Sequence, residues 1–233
     1  MKLGEVIQRV QSLYSRGVQS DDSRLSSRHI YNKLLTVRTR LISQKSKQKQ
    51  KINDWNYQTI SCIEMIDIQP HECPCAPAVN CTVKRSRYMI PKVMTDYNNN
   101  LIDYVMTIDS GDKFDFTNKS EMLHINGNKY TASKRRYLID NDYLFAYGKD
   151  VPQILQIRAL FEDPIEAVKF TTLCSSEVNE RCIDIFDMEF PMDGDTIDIA
   201  VQLTSEELIV LFKQNMEDVS NDTRDIPVIN SKG

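Results

Sequence analysis

Glycine is scarce in this chain, with seven in 233 residues, too scattered to build a loop that cradles phosphate. Neither a P-loop nor a dinucleotide-binding glycine fingerprint occurs, so those nucleotide sites are excluded. Histidine is scarcer still, with His29, His71 and His124 as the whole complement, and no serine sits in a nucleophile elbow. Long apolar runs are absent as well: no stretch of about 18 residues could form a bilayer-spanning helix. The opening MKLGEVIQRV lacks the apolar core of about 7–15 residues and the small-residue cleavage site of a secretory signal, so none is expected. Hydrophobic residues at 41% and charged residues at 27% are ordinary globular values, which argues against wholesale disorder and against a fibre. The length suits one good-sized domain or two small ones. An enzyme's usual inventory is thin here.

Charge is present in an uneven distribution. Residues 1–52 carry 12 Lys and Arg against Glu5, Asp21 and Asp22, a net of +9. The remaining residues carry 17 basic and 30 acidic side chains, a net of −13, which the overall −4 conceals. A basic head on an acidic body suits binding to nucleic acid, to a membrane surface, or to an acidic protein such as a second copy of the same body. A plain solvated helix surface is the simplest account of any single cation. Arg24, Arg28, Arg38, Arg40, Lys45, Lys47, Lys49 and Lys51 are the candidate interface residues.

Apolar spacing predicts the helices. Leu3, Val6, Ile7, Val10, Leu13 and Tyr14 form one stripe, with Gly17 as the stop. Ser26 is the predicted N-cap of a second helix, stapled by Leu25 and Ile30 and running to about residue 50. Its apolar positions end at Ile42. Beyond them the lysines of SQKSKQKQK point all round the axis, so this end projects into solvent or reaches a partner. Trp55 and Tyr57 mark a change to strands at TISCIEMIDI and CTVKRSRYMI. Residues 92–134 are less legible, although IDYVMTID and KFDF around Ser110-Gly111 suggest a hairpin. RRYLID and YLFAY around Asn141-Asp142 form a clearer one. The strand QILQIRALF leads to a helix start with Asp163 as N-cap, Pro164 at N1 and Glu166 at N3. A last helix from about Asp193 carries Ile197, Ala200, Val201, Thr204, Leu208, Leu211 and Phe212 on one stripe.

The predicted fold class is α+β. An N-terminal helical pair and the C-terminal helix pack as a bundle around a central antiparallel β-rich insertion. The expected divisions are a helical region over 1–54, a β-rich domain over 55–162, helices completing the bundle over 163–216, and an extended polar tail over 217–233.

One cluster has the residue types of a metal site: His71, Cys73, Cys75 and Cys81. Its spacing argues against zinc, because Cys73-Pro74-Cys75 puts one rigid residue where knuckles use two to four. The loop is therefore expected to be structural and metal-free, with thiols reduced. His29 and His124 lack a nucleophile or carboxylate at readable spacing and are read as structural or surface residues. Asp193/Asp195 and Glu206/Glu207 belong to a helix start and an exposed face. No catalytic residues and no cofactor are expected.

Several stretches then carry a resemblance: SLYSRGVQSDDSRLSSRHIYNKLLTVRTRLISQ, KINDWNYQTI, PHECPCAPAVNC, GNKYTASK, FEDPIEA and ELIVLFKQNMEDVSND. Over most of its length, weakest between about 92 and 122, the chain resembles a virion structural protein of crAss-like tailed bacteriophages. The resemblance implies a ring of the head–tail connector, dodecameric, docked below the portal protein and against other tail proteins. It implies location in the virion after synthesis in the host cytoplasm, no membrane contact, and a channel through which genome DNA passes without specific binding. In plan the chain is also similar to the adaptor proteins of short-tailed phages, a likeness of fold only. A closing ring needs two different faces on each subunit, which a basic head and an acidic body supply. The alternative functions are a nucleic-acid-binding module using the basic N-terminal helices and, more remotely, an enzyme built on the zinc-like loop. No groove-reading motif follows the basic helix.

Overall fold

A computed structural model describes residues 1–17, 25–68, 82–96, 99–121, 134–148, 150–172 and 184–221. Contacts divide the chain into two compact units, Met1–Gln44 with Asp184–Gly233, and Lys45–Ile183.

The first unit is helical. In α1 (Leu3–Tyr14), Leu3, Val6, Ile7 and Val10 are buried and the Glu5 carboxylate accepts the Lys2 backbone N–H at 3.1 Å. The helix stops in a Schellman turn: Gly17 N–H donates to Ser12 O at 2.9 Å and Arg16 N–H to Leu13 O at 3.3 Å. Arg16 takes the left-handed position at φ 51°, one residue before the expected glycine stop. Helix α2 (Ser27–Lys47) begins as predicted, with Ser26 Oγ accepting the His29 N–H at 3.3 Å and Leu25 and Ile30 both buried. A second Schellman turn ends it, with Lys49 N–H on Ser46 O and Gln50 N–H on Lys45 O, and Lys49 at φ 54°. Its 21 residues span about 32 Å.

Later in the chain, Pro164–Thr172 forms α3, which belongs to the second unit, and Gly194–Asn221 forms α4. Helix α4 buries Ile197, Ala200, Val201, Thr204 and Leu208 on one face. Farther along the expected stripe, Leu211 is 56% exposed and is not a core residue, while Phe212 is half-buried. Spacing shows which residues share a face; it does not show how far the opposing surface extends. The segment expected as tail enters α4 as far as Asn221, and residues 222–233 lie outside the described residues.

The predicted three-helix bundle does not form. Helix α1 lies along α4, while α2 buries Ile30, Leu34, Val37 and Ile42 and is tied to α4 and its N-terminal approach by Arg38, Arg40, Lys33 and the edge of His29 on Phe212. The inner stripe of α2 is not purely apolar, because the fully enclosed Arg38 stands in line with Ile30, Leu34 and Ile42.

The second unit corrects the other half of the expected fold class. It contains a closed barrel, not an open antiparallel insertion. The strands are β1 (Gln58–Asp67), β2 (Thr82–Ser86), β5 (Ile102–Thr107), β6 (Lys113–Phe116), β7 (Arg136–Asp140), β8 (Tyr143–Gly148) and β9 (Ile154–Ala159). They pair in the order β1-β2-β8-β7-β6-β5-β9, and β9 returns to β1. Strands β3 (Thr95–Asp96) and β4 (Asn99–Asn100) form a separate ribbon. Six of the barrel's seven pairings are antiparallel; β6 and β7 are parallel, with Asp115 opposite Arg136 and Phe116 opposite Tyr137.

Local chemistry explains several joints. Asn141 and Asp142 take φ 50° and 61°, as a two-residue β7–β8 turn requires. The β1–β9 register shifts between Ile60 and Ile63, so β1 curves and its second half pairs with β2. Alternate residues fill the interior: Ile60, Ile63, Val105, Phe114, Leu144, Ala146, Leu155 and Ile157 are buried to within 1%. Each large side chain removed from water in this way contributes about 1.5–3 kcal/mol. Burial, with Asp115 nearby, raises the Tyr137 phenol to about 12, so it stays neutral. Helix α3 packs on β1, with Ile165 N–H bonded to the Asp163 carboxylate at 2.8 Å as the predicted cap.

Candidate assembly surfaces

The eight expected interface cations have different fates. Arg24 lies outside the described residues. Arg38 is a correction: it is 0% exposed, and its Nε–H donates to the Pro191 carbonyl at 3.3 Å. A side chain enclosed in its own unit presents nothing to a neighbour. Arg40 is partly committed as well, its Nη2 lying 2.7 Å from Glu207 Oε1. Lys33 holds the other carboxylate oxygen, and the two cations keep the Glu207 carboxyl below its ordinary range. Arg28, Lys47, Lys49 and Lys51 are exposed, and Lys45 is half-buried. The basic segment therefore splits. Its middle is used internally, and toward its C-terminal end Lys47, Lys49 and Lys51 are exposed.

His29 stacks edge-on against Phe212 with centroids 6.1 Å apart, a structural role. His71, Cys73, Cys75, Cys81 and His124 lie outside the described residues. Cys62 is disulfide-bonded, so the expectation of reduced thiols fails at this position. Among the described residues no three His, Cys, Asp or Glu side chains are grouped to hold a metal, and no helix is long and apolar enough to cross a membrane.

Sequence reading used Trp55 only as a boundary marker. Here it is 73% exposed on a short 3-10 turn, Asp54–Asn56. The turn is pinned. Asn53 Oδ1 accepts the Trp55 N–H at 3.3 Å, and the buried Asn56 amide donates to the Asn53 carbonyl at 3.1 Å. From β9, Arg158 donates to the Asp54 carbonyl and carboxylate at 3.3 Å, pairs with Asp103 at 3.3 Å, and lies over the Tyr57 ring. An aromatic between polar neighbours, outside any alternating pattern, was the available signal. Tyr88 and Met89 were also missed; both are exposed just beyond β2.

Such features belong to a subunit that buries surface against other proteins, with side chains prepared for contact and no assembled reaction centre among the described residues. Residues 5–226 match the family model of phage tail ring protein 2, and the chain belongs to that crAss-like phage tail ring family. It is thus a structural component of the virion tail, assembling as an oligomeric ring with other tail proteins. No curated protein matches the chain.

Proposed function

We propose that this ring lies at the head–tail junction, below the portal, and extends the channel through which the genome passes. The observation that carries the reading is the acid excess of residues 53–233, a net of −13 in a ring-forming chain. A conduit for DNA must not grip phosphate, since each lysine or arginine contact adds affinity and drag. Twelve copies close the ring, by likeness to connector rings of crAss-like phages. Arg28, Lys45, Lys47, Lys49 and Lys51 face a protein neighbour, either the next subunit or the portal. Phosphate binding by the N-terminal helices is the weaker reading, because Arg38 and Arg40 are already engaged within the chain.

Imaging of particles with this chain labelled tests the position. Density as a twelve-fold ring directly under the portal is the expected result; density at the distal tail would refute it. Changing Lys45, Lys47, Lys49 and Lys51 to Gln distinguishes the two readings of the basic end. The connector reading expects weaker ring formation or portal docking with no change in DNA affinity. Normal assembly with lost DNA binding would favour the phosphate reading.

A further inference from the structure

Strand directions gather aromatic and acidic side chains at one end of the barrel. The turn Asp54–Asn56 leads into β1 at Gln58, which pairs with Ala159, the last residue of β9. Strand β2 runs antiparallel to β1, so Tyr88 and the 59% exposed Met89, just past its last residue, lie toward the same end. The Asn141-Asp142 turn is there too, since the Asp142 carbonyl accepts the Ile90 N–H at 2.8 Å. Trp55 is flanked by the carboxylates of Asp54 and Asp103. Both are exposed, and both pair with Arg158 at 3.3 Å, two anions around one cation. Arg158 also lies over the Tyr57 ring, 5.4 Å from its centroid. One guanidinium is thus already held here between an aromatic face and two carboxylates. The 73% exposed Trp55 and the exposed sides of Asp54 and Asp103 offer the same groups to a second one.

The helical unit carries an arginine that its own chain leaves unanswered. Arg28 is exposed in the first turn of α2, where no acidic residue stands, and no ion pair engages it among the described residues. A cation beside the positive end of a helix is disfavoured unless a carboxylate approaches it. The other two arginines of α2 are engaged internally, Arg38 with Pro191 and Arg40 with Glu207. We infer that Arg28 of each subunit docks on the Trp55 turn of the next, with its guanidinium stacked on the indole and paired with Asp54 and Asp103. The inference rests on the reading that the basic residues of α2 face a protein neighbour, and it names the surface that Arg28 meets. A closing ring needs two different patches on every subunit, one for each neighbour. Arg28 belongs to the helical unit and Trp55 to the barrel unit, so the two patches differ. Arginine suits the site because its flat guanidinium stacks on a ring while its edge bonds carboxylates. Tryptophan and arginine are also the residue types that most often dominate interface energy. The Trp55 turn, pinned by Asn53 and Asn56, loses little freedom on docking.

The test is a double-mutant cycle on assembly of the full chain. Trp55→Ala and Arg28→Ala, both at exposed positions, should leave the melting point unchanged. Each should raise the concentration at which half the chains are assembled by roughly tenfold. Because the two side chains share one contact, the double variant should also lose roughly tenfold, whereas independent roles would give roughly a hundredfold. Additive losses would overturn the pairing. In parallel, a photo-crosslinking phenylalanine analogue is placed at position 55 in infected cells, and the purified particles are irradiated. The expected product is a covalent dimer of this chain, with the link mapping to a peptide containing Arg28. A link to another protein or to a different segment, or no link from a ring that is present, overturns the inference and leaves the ring itself standing. Unaltered assembly of either variant refutes it as well. Normal assembly of Arg28→Ala with lost DNA affinity would overturn the protein-facing reading of α2 along with it.

Discussion

The helical unit and the barrel dispose of charge in opposite ways. The helical unit encloses Arg38 completely and fastens α2 to α4 through Lys33, Arg40 and Glu207. The barrel keeps its interior apolar and places its ion pairs outside, such as Arg87 with Glu64 and Arg158 with Asp54 and Asp103. A charge already used to join helices is unavailable to a neighbour. The capacity of a basic segment to bind a partner therefore depends on how much of it is already engaged within the chain, and Arg38 and Arg40 are engaged.

The largest effects should come from the two interiors. Leu155→Asp in the barrel and Leu34→Asp in α2, both at 0% exposure, bury an unpaired charge and should cost several kcal/mol, giving insoluble protein or none in particles. Leu211→Asp, on the same apolar stripe as Leu208 but exposed, should change stability by less than about 0.5 kcal/mol. Equal damage from Leu34→Asp and Leu211→Asp in urea melts would mean that α4 buries a longer face than described.

Arginine at α2 gives the next contrast. Arg38→Ala removes a buried side chain and leaves the Pro191 carbonyl without that donor, at a cost of about 2–4 kcal/mol. Arg40→Ala breaks a more exposed pair and should cost under about 1 kcal/mol. Comparable midpoint shifts in the two variants would erase the distinction between enclosed and surface cations.

Smaller still is the pH response of Glu207. Its carboxyl is held below the ordinary value of 4.5 by hydrogen bonds and charge from Lys33 and Arg40, against the opposing effect of burial. The folded state therefore binds this proton less readily than the unfolded chain. The resulting stability is fully present above about pH 4.5 and is lost as pH falls through the lower folded value. Glu207→Gln should flatten this part of the stability profile of the helical unit. An unchanged slope between about pH 5 and 3 would show that the bridge contributes nothing.

Least affected should be the fold of the Lys45, Lys47, Lys49 and Lys51 to Gln variant, whose melting should stay within about 0.5 kcal/mol of the parent. Its assembly should weaken by about 0.2–1 kcal/mol for each pair lost at an interface, multiplied around the ring. Screening shortens such forces to about 8 Å at physiological salt, so the gap from the parent protein should be widest at low salt. A gap independent of salt would mean that these lysines act through packing.

Much of the local structure was legible, because its causes are local. The Ser26 and Asp163 caps, the Leu25–Ile30 staple and the Asn141-Asp142 turn follow from side chains that bond or restrict their own neighbourhood. The interface candidates were less legible. Arg38 was grouped with Arg28 as an interface cation, yet Arg38 continues the four-residue spacing of Ile30, Leu34 and Ile42 and is enclosed against the Pro191 carbonyl, while Arg28 is exposed. Trp55 carried no periodic signal, since its role depends on Arg158, 103 residues later.

By itself the sequence determined where helices start, which residues alternate on strands, how unevenly charge is distributed, and the stretches that carry the resemblance to a phage ring protein. Tertiary structure alone decided that the central strands close into a barrel. The parallel β6–β7 pairing joins segments about twenty residues apart, and the β1–β9 pairing joins segments nearly a hundred apart, so no local pattern records them. Closure leaves no edge strand unpaired, a condition that depends on all seven strands at once. It also decided where each apolar stripe ends, because burial depends on the extent of the surface opposite, and that surface comes from another part of the chain.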